Sequence, residues 1–278
     1  MGLRWQVGKT VEMTIQDNRD WDKISILCCP HCGQGFSTTA SGVVCSNGHS
    51  FDRAREGYFH LLPSGRLPGN STPGDTADSL QARRRFLHAG WYSPIAQKLS
   101  DALGQIDGAV LDIGCGEGWY LSQITASHRY GLDISKRAVQ MASKLLPDAQ
   151  CVVGTSFRLP VLQQSCAAVF TVFAPHSHAE YQRVLHPGGT WVTVTPGPRH
   201  LEQMRPQKDE SILQREERRQ EPPTEAHESE RLTFELSLPP DTAHDLFSMT
   251  PLRWQTAAEA SPATHVTVDV WVSRGVAL

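Results

Sequence analysis

Short apolar runs recur through the second half of the chain, separated by stretches of helical pattern. The most regular run, Val110–Ile113, leads directly into glycines at alternate positions, Gly114, Gly116 and Gly118. An apolar run that ends in closely spaced glycines predicts a buried strand, a tight turn and a following helix. The whole region predicts five strands and three helices in alternation, at 110–113, 118–126, 130–133, 136–146, 151–154, 167–173, 180–185 and 190–195. This alternation is typical of a parallel, doubly wound α/β sheet.

Two later segments, 232–238 and 266–272, alternate strictly between apolar and polar residues. A period of two predicts strands, and a helical pattern over 241–248 lies between them. We expect these strands to form an antiparallel edge hairpin that completes a seven-stranded, mostly parallel sheet. The preceding segment, 205–231, carries charges of both signs around Pro222-Pro223, which predicts a solvated helix and a mobile loop rather than a site.

The first hundred residues divide into three predicted parts. Residues 1–27 show no clear period, which predicts a poorly ordered extension or a short arm packed on the next module. A cysteine-rich module follows at 28–62, and a Pro/Gly/Ser-rich linker with two helices occupies 63–104. The α/β domain is expected to cover 105–278.

Composition narrows the class of protein without naming a function. The chain has 278 residues, 39% of them apolar and 20% charged, with a formal net charge of −3. These values are typical of a globular protein, and a nucleic-acid partner has to be bound by a local basic patch. No apolar run approaches the roughly 20 residues of a membrane span, and the charged N-terminus has no signal-peptide core. We therefore expect a cytoplasmic protein with no membrane partner.

Four of the seven cysteines lie within Cys28–Cys45, and a histidine follows closely. Cys29, Cys32, Cys45 and His49 form a C-x2-C-x12-C-x3-H pattern, which supplies the tetrahedral thiolate and imidazole ligands that a structural Zn²⁺ site requires. Three alternatives remain open: a register that uses Cys28, competition from His31, and a cluster of buried thiols without metal.

The spacing of the central glycines favours one kind of ligand. A dinucleotide-binding turn follows G-x-G-x-x-G, whereas the third glycine here comes one residue early. Asp112 adds negative charge where a phosphate would be repelled, so the turn favours a cationic or zwitterionic ligand such as S-adenosylmethionine. Asp133 ends the next strand about 20 residues on, where a carboxylate accepts ribose hydroxyls. The alternatives are a turn that binds nothing, and Asp133 as a helix N-cap in competition with Ser135.

The segment from Arg53 to Arg85 is locally basic. It holds six arginines against three acidic residues and includes several aromatic side chains, so it is a candidate surface for RNA phosphates and an unstacked base. A solvated helix face with ordinary arginines is the alternative interpretation.

Seven blocks, in this order, carry a family resemblance: Cys29-Pro-His-Cys32, Cys45-Ser-Asn-Gly-His49, Gln81-Ala-Arg-Arg84, Leu111-Asp-Ile-Gly-Cys-Gly-Glu-Gly118, Gly131-Leu-Asp-Ile-Ser-Lys136, Pro187-Gly-Gly189 and Thr195-Pro-Gly-Pro-Arg-His-Leu201. Together they resemble the RlmA-type methyltransferases. The resemblance implies a Rossmann-like, class I S-adenosylmethionine-dependent fold with an N-terminal zinc-binding module that helps to recognise RNA. It also implies methylation of guanine N1 in a 23S ribosomal RNA hairpin near the peptide exit tunnel, and a homodimer. One branch of the family is linked to macrolide resistance.

The resemblance also implies residue roles. The zinc ligands fall on the four residues of the metal pattern, and S-adenosylmethionine contacts fall on Tyr92, Tyr120, Leu121 and His200. The adenine-contacting position after the third strand falls within 154–156, where Ser156 stands in place of the more common acidic or amide side chain.

No catalytic residue identifies itself in the sequence. The proton on guanine N1 must leave during methylation, and a general base within hydrogen-bond reach would accept it. Asp112, His176, His178 and His200 are unranked candidates, beside a backbone carbonyl that relays to water. Two other classes of function remain as alternatives: a small-molecule methyltransferase with a zinc lid, and a non-catalytic RNA-binding protein.

Overall fold

The computed structural model describes residues 26–63, 76–205, 221–254 and 262–278. In these residues the strands are β1 (Phe36–Thr38), β2 (Gly42–Cys45), β3 (Ser50–Asp52), β4 (Phe59–His60), β5 (Ala109–Ile113), β6 (His128–Asp133), β7 (Gln150–Val153), β8 (Cys166–Val172), β9 (Leu185–Pro196), β10 (Glu228–Ser237) and β11 (His265–Val276). The helices are α1 (Ala77–His88), α2 (Ser93–Leu103), α3 (Trp119–Ser122), α4 (Lys136–Leu145), α5 (His178–Val184) and α6 (Pro240–Ser248).

The main sheet has the order β10-β11-β9-β8-β5-β6-β7-β4. Strands from β4 to β9 run parallel, and β11 pairs antiparallel with both β9 and β10. This confirms the predicted mostly parallel sheet with an antiparallel edge hairpin. The strand order reverses at β5, which lies between β6 and β8. Ligands of such sheets bind outside the carboxyl ends of the strands at this switch point, and the glycine turn follows β5 there.

The main sheet has one strand more than the seven predicted. The extra strand is β4, in which Phe59 and His60 pair with Val152 and Val153 of β7. The neighbouring Leu61 N–H donates to the Val153 carbonyl over 2.8 Å. The cysteine-rich module therefore contributes a strand to the edge of the α/β sheet, beside its own three-stranded antiparallel sheet of β1, β2 and β3.

Local sequence explains where two helices begin and end. The Ser135 hydroxyl accepts a hydrogen bond from the Ala138 N–H and caps α4. Helix α3 ends at Ser122, well short of the predicted 118–126. The Ser122 hydroxyl donates to the Trp119 carbonyl over 2.6 Å, and such a bond competes with the helical ladder.

Buried apolar side chains pack on both faces of the main sheet. One face carries Phe86, Ile95 and Leu99 of α1 and α2 against the valines of β11. The other carries Tyr181 and Trp191 with the last residues of β5. Since both faces are covered, the open part of the sheet is its carboxyl edge.

Three of the predicted segments fall wholly or largely outside the residues that the structure describes. The extension at 1–25, the linker at 64–75 and the charged segment at 206–220 lie outside the described residues. Ile26 and Leu27, the last residues of the predicted extension, are buried, and Leu27 pairs with Val161. The prediction of helix and loop up to residue 231 is wrong for 228–231, because these residues begin β10. No helix in the described part of the chain is long and apolar enough to cross a membrane.

Candidate functional site

The four predicted zinc ligands converge at one end of the cysteine-rich module. Their ligand atoms all lie within 4.8 Å of one another. The His49 Nδ1 atom lies 3.5 Å from Cys29 Sγ and 3.4 Å from Cys45 Sγ, and Cys32 Sγ lies 3.6 Å from Cys45 Sγ. Zn²⁺ bonds of about 2.0–2.3 Å place tetrahedral ligand atoms about 3.3–3.8 Å apart. The donor set therefore fits a closed structural zinc site, with no position left for substrate.

Two other candidate ligands lie outside this cluster. Cys28 is buried, its backbone N–H donates to the Pro160 carbonyl, and burial raises the pKa of its thiol to about 11. The exposed His31 ring stacks near Phe51, with ring centres 6.0 Å apart. Among the described residues, the geometry therefore favours the register that uses Cys29.

The turn after β5 accepts only glycine at its first position. Gly114 has a φ of +81°, and its N–H donates to the Leu132 carbonyl over 2.7 Å. A Cβ at this position would lie 2.3 Å from the Cβ of Ala174, which no relaxed contact allows. The glycine turn thus touches the loop between β8 and α5, and the two segments border the same edge of the sheet.

Asp133 connects the ends of β5 and β6. Its carboxylate accepts hydrogen bonds from the Gly116 N–H over 2.9 Å and the Ser135 N–H over 2.8 Å. Since Ser135 caps α4, Asp133 is not the helix cap. These bonds fix the Asp133 carboxylate between the glycine turn and the start of α4, where the predicted ribose contact falls.

Several buried polar atoms near the glycine turn, Glu117 Oε1 among them, have no hydrogen-bond partner in the described structure, and three of these atoms belong to predicted cofactor residues. They are Asp112 Oδ2 and the hydroxyls of Tyr92 and Tyr120. Asp112 is only 2% exposed, and burial, together with the negative charge of Asp133, raises its pKa well above the usual value. A buried polar group left unpaired costs about 1–3 kcal/mol, so a ligand that pairs with these atoms is favoured. One acceptor and two donors fit the ammonium and carboxylate of an amino acid, as carried by S-adenosylmethionine.

Helix α1 lies across the glycine turn, which the sequence did not indicate. The His88 Nε2 atom lies 3.3 Å from Oε2 of Glu117, a buried residue within the turn. An Arg83 guanidinium nitrogen would lie 3.3 Å from a Cβ on Gly116. A charged residue inside a glycine turn, as Glu117 is, was the available signal for such a contact.

The other predicted cofactor residues lie in different environments. The His200 ring centre is 6.5 Å from that of Tyr92, so His200 borders the same edge. The Leu121 side chain is fully buried beneath Gly131. Ser156 is half-buried in the loop after β7, next to Phe157, which is 65% exposed.

An exposed aromatic residue stands at the mouth of this site. Phe173 directly follows β8, has a φ of +54°, is 38% exposed, and has its ring centre 5.3 Å from that of His200. A bulky residue in the left-handed region is strained, and such strain concentrates at functional sites. The same loop carries His176, whose ring stacks on Tyr181, and His178, which packs edge-on against Trp191.

Comparison with known proteins decides the family. The N-terminal zinc-ribbon model of RlmA matches residues 27–66, and a methyltransferase-domain model matches residues 110–189. A 23S rRNA (guanine(748)-N(1))-methyltransferase of Streptomyces fradiae is 32% identical over 250 residues, which cover 83% of this chain and 86% of that protein. The chain belongs to the RlmA-type methyltransferase family. A relative from Micromonospora griseorubida, whose name also describes a 23S rRNA (guanine-N(1)-)-methyltransferase, is 32% identical over 91% of this chain and 98% of its own length.

Membership of the RlmA-type family, together with the zinc-ligand cluster, identifies the cofactors. The chain is an S-adenosylmethionine-dependent methyltransferase with an N-terminal zinc ribbon. The cysteine and histidine cluster beside β1–β3 lies within the zinc-ribbon match, and the glycine turn after β5 lies within the methyltransferase-domain match.

The raised pKa of Asp112 predicts that cofactor binding depends on pH. The ligand-free protein keeps a proton on Asp112 to a higher pH than a free carboxyl does, whereas a bound ammonium favours the carboxylate. Binding therefore releases a proton, and the Kd for S-adenosylhomocysteine is expected to fall by up to about tenfold per pH unit while Asp112 is protonated.

Isothermal titration calorimetry in buffers of different ionisation enthalpy measures the Kd and the released proton. Asp112→Asn is expected to flatten the pH dependence. Asp148→Asn, which removes an exposed carboxylate paired with Arg129, should leave it unchanged. A pH-independent Kd in the wild-type protein would contradict the prediction.

Proposed function

We propose that the chain transfers a methyl group from S-adenosylmethionine to N1 of a guanine in 23S ribosomal RNA. The observation that carries the proposal is that the module with the zinc-ligand cluster adds β4 to the main sheet, the sheet that also carries the glycine turn. The chain with this arrangement aligns over most of its length with a 23S rRNA guanine-N1 methyltransferase. Zinc-containing modules are common in nucleic-acid recognition, and the docked strand fixes this one beside the cofactor edge.

The proposal assigns the residues of both sites. The zinc ligands are Cys29, Cys32, Cys45 and His49. The cofactor contacts come from the carboxyl edge of the sheet and the segments around it, and are Tyr92, Asp112, Gly114, Gly116, Gly118, Tyr120, Leu121, Asp133, Ser156 and His200. The division at 28–62, 63–104 and 105–278 is the matching proposal for the domains.

Exposed cations lie on several elements around this edge. Arg55 of the cysteine-rich module has a side chain that is 91% exposed, and Arg84 of α1 and Arg158 of the loop after β7 are also exposed. Because the net charge of the chain is negative, such local cations have to supply the contacts with RNA phosphates. The exposed ring of Phe173 offers a stacking face for an unpaired base beside the methyl donor.

The chemistry requires alignment more than a reactive side chain. When bound, S-adenosylmethionine supplies an electrophilic methyl carbon, and the electron pair of its S–C bond stays with sulfur as the nitrogen takes the methyl group. Asp112 and Tyr92 hold the amino-acid end and Asp133 holds the ribose, which fixes the direction of attack. Guanine N1 lies on the Watson–Crick edge, so the target base has to be unpaired, and its N1 proton passes to water, directly or through a backbone carbonyl, as the new N–C bond forms.

The substrate class can be tested directly with the full-length, zinc-loaded protein. We expect methyl transfer to deproteinised 23S ribosomal RNA and to a transcript of the target hairpin, with 1-methylguanosine detected by nucleoside mass spectrometry. Reverse transcription should stop at the modified base, and replacing that guanine with adenine should abolish the stop. Cofactor turnover without 1-methylguanosine in the RNA would favour the small-molecule alternative, and RNA binding without turnover would favour the non-catalytic one.

A ribosomal RNA substrate also implies where the protein acts. Ribosomal RNA is available in the cytoplasm, which is the proposed location. Formation of a homodimer, the choice of guanine within the hairpin and a link to macrolide resistance stay predictions of the family resemblance.

A further inference from the structure

A buried carboxylate on the edge hairpin collects an unusual number of hydrogen bonds. Asp269 of β11 is fully buried, and its carboxylate accepts hydrogen bonds from Nε (2.7 Å) and Nη2 (2.8 Å) of Arg231 on β10. It also accepts the Arg199 backbone N–H over 2.8 Å and the Thr233 hydroxyl over 2.9 Å. Burial alone would raise the pKa of Asp269, but the hydrogen bonds from Arg231 and Arg199 lower it to about 2. Asp269 is therefore charged and fully paired.

The backbone of the same residue holds the loop after β9. The Asp269 carbonyl accepts the Gly197 N–H over 2.7 Å, and the Asp269 N–H donates to His200 Nδ1 over 3.3 Å. A Cβ at position 197 would lie 2.6 Å from Asp269 Oδ2, so the close approach of this loop requires glycine. Side chain and backbone of Asp269 thus fix the segment 197–200 from both sides.

This arrangement decides which ring nitrogen of His200 carries the proton. Nδ1 accepts a hydrogen bond, so a neutral ring has its proton on Nε2. Burial, with a contribution from the charge of Arg205, lowers the pKa of His200 to about 4, which keeps the ring neutral at physiological pH. No hydrogen bond of Nε2 is found among the described residues, and the ring packs beside those of Phe173 and Tyr92 at the cofactor edge.

We propose that Asp269 and Arg231 are positioning residues that hold His200 with its proton on Nε2, so that His200 donates a hydrogen bond to a carboxylate oxygen of the bound cofactor and does not act as the general base. The inference rests on the proposed place of His200 in the cofactor site. His200 thereby joins the hydroxyls of Tyr92 and Tyr120 as a neutral donor, while Asp112 is the acceptor. Such donors and an acceptor match the two ends of an amino acid.

The side-chain geometry of two substitutions tests the role of His200. The amide nitrogen of glutamine stands close to the position of Nε2, whereas that of asparagine stands close to Nδ1. We expect His200→Gln to keep the Kd for S-adenosylhomocysteine within about threefold, and His200→Asn to weaken it by about 10- to 100-fold, as for a lost hydrogen bond to a charged group. The acidic limb of the pH–rate profile should be the same in His200→Gln and wild type. An equal loss of S-adenosylhomocysteine affinity in both variants, together with a shifted acidic limb of the pH–rate profile, would identify His200 as a base and overturn the proposal.

Three further variants test the positioning residues. Arg231→Met removes two of the four hydrogen bonds to the Asp269 carboxylate, and Thr233→Val removes one and perturbs the fold least. We expect both to weaken S-adenosylhomocysteine binding and to mix the two His200 tautomers in the ¹⁵N spectrum of the imidazole rings. Glu230→Gln is the matched control, because Glu230 is on the same strand as Arg231 and forms an exposed ion pair with Lys98 of α2. This variant should change neither readout.

A purely structural role for the ion pair would lower the melting temperature while leaving the tautomer and the Kd unchanged, and that result would overturn the proposal. A wild-type spectrum with the His200 proton on Nδ1, or with a charged ring at neutral pH, would overturn it without any variant. The binding, tautomer and melting measurements use no RNA, so failure of the proposed RNA substrate is distinguishable from failure of this inference.

Discussion

A Cys45→Ser variant is expected to lose its zinc and, with the metal, the fold of the cysteine-rich module. The three strands of this module have only three or four residues each, and Val43, which is 9% exposed, is the one buried aliphatic side chain among them. So small a core does not offset the conformational entropy of folding. Structural zinc contributes about 10–16 kcal/mol at neutral pH in comparable small modules, so the loss of one thiolate should unfold this one.

Unfolding of the cysteine-rich module should affect cofactor binding and RNA methylation differently. The module meets the main sheet through β4 and Leu27, whereas the glycine turn is held by β5, β6 and α1. We therefore expect the Kd for S-adenosylhomocysteine to change by no more than about fivefold, or roughly 1 kcal/mol. Methylation of the RNA transcript should fall by about 100-fold or more, because the phosphate contacts of the module are removed.

Cys28→Ala is the matched control, since Cys28 is the adjacent cysteine outside the ligand cluster. It should retain one zinc per chain by atomic emission spectroscopy and should methylate RNA as the wild type does, at a modest cost in stability. Zinc lost from Cys28→Ala would show that the register of the ligands is wrong, and zinc retained by Cys45→Ser would show that Cys45 is not a ligand.

The methyl-donor half of the protein was predictable because its determinants are local. An apolar run, glycines that accept a left-handed backbone, and an acidic residue at the end of the next strand all occur within Val110–Asp133. The metal cluster was predictable for the same reason, since two short turns bring its ligands together. In both cases the residues that set the geometry are close to those that carry the chemistry.

Contacts between distant segments were not predictable from the same patterns. A strand as short as β4 has no measurable period, and its partner β7 lies in another predicted domain. Asp269 lies between Val268 and Val270 in a strand where valines alternate with polar residues, and this pattern predicts a solvent-exposed side chain. The loop that carries His200 covers that side chain, and Arg231 on the neighbouring strand pairs with the carboxylate. A charged residue within a valine-rich strand is visible in the sequence, but nothing in the sequence indicates that Arg231 is its partner.

Gly114→Ala is expected to remove measurable cofactor binding. The added Cβ would lie 2.3 Å from that of Ala174, so either the glycine turn or the loop after β8 has to move. The turn is anchored by hydrogen bonds from Gly114 and Cys115 to the Leu132 carbonyl and from Gly116 to Asp133, so it has little freedom to retreat. A displacement of about 1 Å at such a site costs about 100-fold, and we expect at least that loss in the Kd for S-adenosylhomocysteine. Overpacking and backbone strain together should lower the free energy of unfolding by about 2–4 kcal/mol.

Two matched variants separate the contact from the strain. Gly188 has a φ of +80°, almost that of Gly114, yet a Cβ there meets nothing within 4 Å. Gly188→Ala should therefore show only the backbone strain, about 1–2 kcal/mol, with the Kd unchanged. In the double variant Gly114→Ala, Ala174→Gly the opposing methyl group is absent, so most of the affinity should return and the two substitutions should be strongly non-additive. If the double variant binds as weakly as Gly114→Ala alone, the strained turn and not the approach of Ala174 decides why glycine is required after β5.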